Sequence, residues 1–218
     1  GANALALNSG TIRDAAGNNA TLTHTAVSAN TSYKVDTTVT ANFTAATDDV
    51  GTVTGALTSG DTTDDTALVL SGTNESGSSV MVYNSSTQLG AATVSGTSWS
   101  YSATVANGTT YQFNVRETDL AGNTSAATSN FTVTGDTTAP TAPSVSGTTP
   151  TDNTTPTWNW SAGGGGNGTY RYKLDNSNLT SGATETTSTS YTPGSGISEA
   201  SHILYVQERD AAGNWSSS

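Results

Sequence analysis

Apolar residues recur along this chain in short alternating groups, and nowhere at the spacing of a helix face. Tyr111, Phe113 and Val115 occupy every second position, and Phe131 and Val133 repeat the arrangement. Side chains on a strand point to opposite faces in turn, so such alternation predicts half-buried β-strands. It predicts strands over Leu68–Ser71, Ser79–Tyr83, Ser98–Thr104, Tyr111–Glu117 and Ser129–Thr134. A further set follows over Thr157–Trp160, Thr169–Leu174, Ser188–Thr192 and Ile203–Glu208. Trp158 and Trp160 are expected to divide, one facing the core and the other not. Gly, Asn and Ser separate the groups and supply turns. The pattern is that of an all-β fold.

The groups are embedded in a repeat. Asp14-Ala15-Ala16-Gly17-Asn18 returns as Asp119-Leu120-Ala121-Gly122-Asn123 and as Asp210-Ala211-Ala212-Gly213-Asn214. Asp36-Thr37-Thr38 returns as Asp136-Thr137-Thr138-Ala139-Pro140, and Thr63-Asp64-Asp65-Thr66 as Thr151-Asp152-Asn153-Thr154. The period is roughly 90–105 residues, the size of one β-sandwich module. The phase of the markers makes residues 1–35 the closing portion of one module, 36–135 a complete module, and 136–218 a module without its last strand. Either these limits are arbitrary, or the N-terminal segment of one copy completes the last module of another, giving a head-to-tail fibre.

Composition changes the picture in two ways. Thr, Ser, Asn, Gly and Ala dominate, but the alternation argues for folding against disorder. The net charge of −11, from 17 acidic and 6 basic residues, makes nucleic acid a poor partner, because phosphate binding needs clustered Lys and Arg. With no Cys, disulfides and thiolate metal sites are excluded. No apolar run approaches the ~20 residues of a membrane span.

Most of the aspartates stand inside the repeated markers, and that placement suggests calcium. Ca²⁺ takes six to eight oxygen ligands, chiefly carboxylates and carbonyls, which Asp-, Asn- and Gly-rich turns supply. The candidate ligands are Asp36, Asp48, Asp49, Asp64, Asp65, Asp119, Asn123, Asp136, Asp152 and Asp210. Asp64, Asp65, Asp119 and Asn123 are expected to converge at one end of a module, with Asp36 and Asp136 bridging to its neighbour. Without a cation, two carboxylates ~4 Å apart repel by about 4 kcal/mol at an effective dielectric near 20. A single Asp that caps a turn needs no metal, and Asp61, Asp175 and the five Glu residues are read that way.

The segment Asp48-Asp49-Val50-Gly51, then Thr63 to Thr66, Leu70-Ser71-Gly72-Thr73, Asp119 to Asn123 and the linker Asp136 to Pro140 together resemble the bacterial immunoglobulin-like tandem repeats of giant biofilm-associated and RTX-type surface adhesins. The resemblance covers essentially the whole chain. It implies immunoglobulin-like β-sandwich modules in an extended rod, an extracellular or cell-surface location, and a stalk role with calcium at the joints and neighbouring modules as partners. Residues 136–218 depart from the pattern: no D-D-V-G, Asn153 in place of Asp65, and an insertion at Gly163 to Gly166. Short joints carrying Pro140 would favour stiffness.

Other signals are weaker. Gly163 to Gly168 lacks the Lys-Ser/Thr of a phosphate loop and reads as a turn. His24 and His202 stand in different modules and read as strand residues. Neither a Ser-His-Asp set nor a carboxylate pair flanking a cleft is discernible, and an enzyme is not expected. The rival function is a carbohydrate- or protein-binding module in residues 136–218, where Trp158, Trp160, Tyr170, Tyr172, Tyr205 and Trp215 concentrate.

Overall fold

The computed structural model describes residues 11–19 and 35–218, and the chain divides into two units, Gly1–Thr37 and Thr38–Ser218. His24 lies outside the described residues. In the first unit, Arg13 and Asn19 form an isolated antiparallel bridge around the first D-x-A-G-N turn.

The second unit is all-β and contains four sheets. Two five-stranded sheets face each other in its first sandwich. One has the order β2-β1-β4-β8-β7, from Gly55–Ala56, Asn42–Asp48, Ala67–Thr73, Ser98–Thr104 and Thr93–Ser95. The other has the order β3-β10-β9-β5-β6, from Thr62–Thr63, Phe131–Gly135, Thr110–Thr118, Ser79–Asn84 and Thr87–Ala91. All pairings are antiparallel except β3 with β10, which is parallel. The alternating residues do what their spacing requires: Leu68 and Leu70 of β4, Val80 and Val82 of β5, and Phe113 and Val115 of β9 all point into one core with Trp99 and Val133. Phe43 meets Trp99 edge-on at 5.7 Å and stacks on Phe131 at 5.3 Å, tying the two sheets together. Gly72 is there because any Cβ would overlap Asn42 O and the Trp99 indole, whose Nε1 donates to that same carbonyl at 3.0 Å.

The second sandwich is smaller. One three-stranded sheet has the order β11-β12-β15 (Ser144–Gly147, Trp158–Ser161, Ser190–Tyr191), the other β14-β13-β16 (Thr184–Thr186, Thr169–Leu174, Leu204–Arg209). Trp160, Tyr170, Leu204 and Val206 form its core, with Trp158, Tyr172, Leu174 and Tyr191 packed against them. Trp158 and Trp160 therefore do not divide between core and solvent. Residues two apart on a strand share a face, and both pack into the same cluster. The aromatics that suggested a ligand platform are mostly spent in this core. Gly163 to Gly168 forms the turn between β12 and β13. His202 lies just before β16, not within it, and its Nδ1 pairs with Asp175 Oδ2 at 2.6 Å.

Candidate cation site at the seam between the sandwiches

The D-x-A-G-N marker builds the same loop each time. Asp119 N–H donates to Asn123 O at 3.0 Å, Asn123 N–H donates to Asp119 Oδ1 at 2.8 Å, and the Asn123 amide donates to Oδ2 at 2.7 Å. Asp210 and Asn214 repeat these bonds at 3.0, 2.9 and 3.0 Å. In the first unit Asn18 likewise donates main-chain and side-chain N–H to Asp14. Glycine closes the turn because its φ is positive, +90° at Gly122 and +110° at Gly213. These donors, the Asn side chain foremost, hold the carboxyls of Asp14 and Asp119 below the usual range.

The sequence placed Asp64, Asp65, Asp119 and Asn123 at one end of a module, and the structure parts them. β4 starts beside the end of β8, where Val105 N–H donates to Thr66 O, and near the start of β9. β9 then runs nine residues away before Asp119, a span of roughly 30 Å. The loop before β4 and the loop after β9 therefore lie at opposite poles. At the Asp119 pole, one carboxylate oxygen of Asp119 and one of Glu75 come within 4.8 Å of each other.

What the Asp64 pole meets is the marker loop of the second sandwich. Asn214 donates its side-chain amide to Asp136 O at 2.8 Å, and Trp215 Nε1 donates to Thr52 Oγ1 at 3.1 Å. Gly213 lies so close that an added Cβ would sit 3.3 Å from Val53 N. Trp215 is in turn covered by the Arg171 guanidinium, 4.3 Å from the ring centre, with Arg209 at 5.4 Å.

Acidic groups collect at this seam. Asp48, Asp65 and Asp210 are 2%, 2% and 4% exposed. Asp48 accepts Val50 N–H at 3.0 Å and the Thr63 hydroxyl at 2.6 Å, and Asp65 Oδ1 accepts Ala67 N–H at 2.7 Å. Asp65 Oδ2 and Asp64 Oδ1 are buried without any hydrogen-bond partner. Burial first, then the charges of Asp48, Asp210 and Asp65, raise the Asp64 carboxyl above the ordinary carboxylate range. Gly51 is held against this carboxylate, where a Cβ would overlap it. Asp136 joins the seam through its main chain, its N–H donating to Thr63 O at 2.8 Å.

Among the described residues, the seam carboxylates do not bring three oxygens within 4.8 Å of one another. Repulsion between like charges opposes a tighter set. The donor set nevertheless fits a hard cation: it is all oxygen, it includes buried carboxylate oxygens with no donor, and no Lys or Arg is among the groups that set the Asp64 titration. Of the other predicted ligands, Asp49 and Asp152 are exposed, and Asp36 lies in the first unit. Trp215, Thr52 and Val53 were missed as seam residues. The position of Trp215 directly after the third marker was the available signal.

Residues 37–137 match the family model described as the bacterial Ig-like domain. That stretch is similar to the bacterial Ig-like domain. Such Ig-like domains are a non-enzymatic module type, usually extracellular or on the cell surface and often in tandem. No curated protein matches the chain. Among solved structures, the fibronectin(III)-like modules of Clostridium thermocellum CbhA align over 73% of this chain and 85% of theirs, at 16% identity and a TM-score of 0.45. The FN1-FN3 domains of chicken CNTN1 align over 79% of this chain and 62% of theirs, at 12% identity and a TM-score of 0.38. Among the described residues, no helix is long and apolar enough to cross a membrane.

Proposed function

We propose that this chain is an extender segment of an extracellular adhesin or fibre, in which calcium at the seam between neighbouring sandwiches braces them against one another. The observation that carries the reading is Asp64: a carboxylate crowded by Asp48, Asp65 and the Asp210 of the following sandwich, with one buried oxygen of its own and one of Asp65 that no donor meets. Evolved surfaces seldom bury acid against acid without a counter-charge, and a divalent cation supplies one. Asp64 and Asp65, with Asp48 and Asp210 beside them, would hold it. The ion would contribute charge neutralisation across the seam, which couples the stability of one sandwich to the placement of the next.

Calorimetry on the full chain tests this. A site filled at a hundred times its Kd stabilises by about 2.7 kcal/mol, a rise of roughly 5–11 °C for a unit of this size. Calcium should produce such a rise over EDTA. Superimposable melts in calcium and in chelator would end the proposal.

A further inference from the structure

Alternation along β13 and β16 sorts their residues onto two faces. Tyr170, Leu204 and Val206 lie in the core with Tyr172 and Leu174 packed against it, so Arg171, Lys173, Tyr205, Gln207 and Arg209 share the outer face. The register sets them in a grid: Arg171 stands between Glu185 and Gln207, Lys173 beside Tyr205, and Arg209 beside Thr169. This one face carries three of the six basic residues in a chain of net charge −11. The fold does not ask for them there. Matching Glu208 to Glu117 across each strand pair puts Met81 in the place of Arg171, Tyr83 in that of Lys173 and Thr118 in that of Arg209.

The cations are held in place but not answered by acid. Among the described residues none of the three forms an ion pair, although Glu185 lies cross-strand from Arg171. Arg171 Nε donates to Gln207 Oε1 at 2.7 Å, and its guanidinium lies over the Trp215 ring. Lys173 Nζ donates to two neutral carbonyls, Asn178 O at 2.9 Å and Ser181 O. An ammonium has three donors, so one is left over. Arg209 Nε is buried with no acceptor. Burial lowers the Arg171 guanidinium below its ordinary value, and the charge of Glu185 offsets that only in part. Arg171 and Lys173 are thus fixed before any anion arrives, which reduces the ordering cost of binding one.

We propose that this face binds a linear acidic polysaccharide, a chain of uronate sugars. The terminal nitrogens of Arg171 fork onto one carboxylate, and Lys173 takes a second as a point charge. Thr169, Gln207 and the half-buried Tyr205 stand among the cations and supply neutral hydrogen-bonding groups, which suits a polymer of hydroxyls with spaced carboxylates. A bulky acidic protein would bring its charge against the whole −11 of the chain. A polymer one sugar wide meets only this face, within the ~8–10 Å over which salt leaves charges unscreened. The site adds adhesion to a segment whose proposed role is extension, and it does not use the seam.

Hexagalacturonate titrated into the full chain tests this, in EDTA so that calcium reaches neither the seam nor the sugar. Binding is read by calorimetry and by NMR shifts of the Arg171 Nε–H and Trp215 indole N–H. The two signals should move together, and binding should weaken as salt rises. Arg171→Met and Lys173→Tyr, which install the residues of the first sandwich, should each weaken binding about tenfold or more, the worth of one charged hydrogen bond. Lys173→Gln leaves the indole contact alone and should do the same. Arg116→Gln, on the first sandwich, should leave the affinity unchanged. Affinity weaker than about 1 mM overturns the proposal. So does equal binding of the fully methyl-esterified hexamer, which keeps the rings and loses the charge, or of a polyglutamate peptide of the same charge.

Discussion

Asp64 sits where four acidic side chains from two sandwiches meet, and its titration works against the fold when no cation is present. Because its folded pKa is raised, the folded state holds the proton more tightly than the unfolded chain does. Its contribution is fully present below the unfolded value near 3.8 and is lost as pH rises through the folded pKa. Chelated chain should therefore lose stability as pH climbs out of the acid range, and calcium should suppress that loss. Asp64→Asn removes one charge and its repulsion. In EDTA at pH 7 the variant should melt above wild type, by up to a few degrees. In calcium it should melt below wild type, because a ligand is gone. A melt below wild type in both conditions would make Asp64 an ordinary structural residue. His202 and Asp175 show the opposite arrangement, a pair that gains from ionisation. Hydrogen bonding to Asp175 raises His202, and the same bond lowers Asp175. The histidine's contribution is full below 6.5 and fades as pH rises through its higher folded pKa. Proton NMR titration should show that pKa falling toward 6.5 in Asp175→Asn.

In each of the two sandwiches the marker loop rests on a buried glutamate at the end of its strand, and the two satisfy that glutamate differently. Glu117 and Glu208 are 0% and 1% exposed. Glu117 Oε1 accepts Glu75 N–H at 2.6 Å, while its Oε2 has no partner. Glu208 Oε2 accepts Gly163 N–H at 3.2 Å, and Tyr170, cross-strand from it, hydrogen-bonds its carboxylate where the first sandwich has Val80. Tyr170→Phe deprives a buried carboxylate of a donor and should cost about 1–3 kcal/mol, measured by urea unfolding. Neither glutamate announces itself in the sequence, because a single acidic residue ending an alternating run looks solvated. The strands with two or more large apolar residues at alternate positions were legible for the same reason that they pack: β4, β5, β8, β9, β10, β12, β13 and β16 all overlap the predicted spans. β1 was not, because a register shift between Phe43 and Ala45 breaks its alternation. β11 exposes all four of its residues and carries no pattern to read. Short edge strands such as β6 and β7 leave the same faint trace, since they bury almost nothing.

At the scale of the whole second unit, repetition made the acidic markers visible but not their arrangement. Spacing shows that Asp64, Asp119 and Asp210 recur, whereas which loops share a pole follows from strand direction, and strand direction follows from pairing. The contact that results joins the third marker to the pole of the preceding sandwich, sealed by Trp215 under Arg171 and bonded to Thr52. If the cation and this indole together set the angle between sandwiches, removing either should free it. The absence of Cys allows that angle to be measured directly, with spin labels at Gln88→Cys on β6 and Thr184→Cys on β14, both exposed positions. In calcium the distance distribution between labels should be single and narrow, and in EDTA it should broaden. Trp215→Ala should broaden it even in calcium, because the ring fills the seam and its loss leaves Arg171 without a face to cover. A distribution equally narrow in calcium, in EDTA and in the tryptophan variant would mean that the direct contacts of Asn214 and Gly213 hold the sandwiches unaided. The acidic seam would then contribute charge but no stiffness.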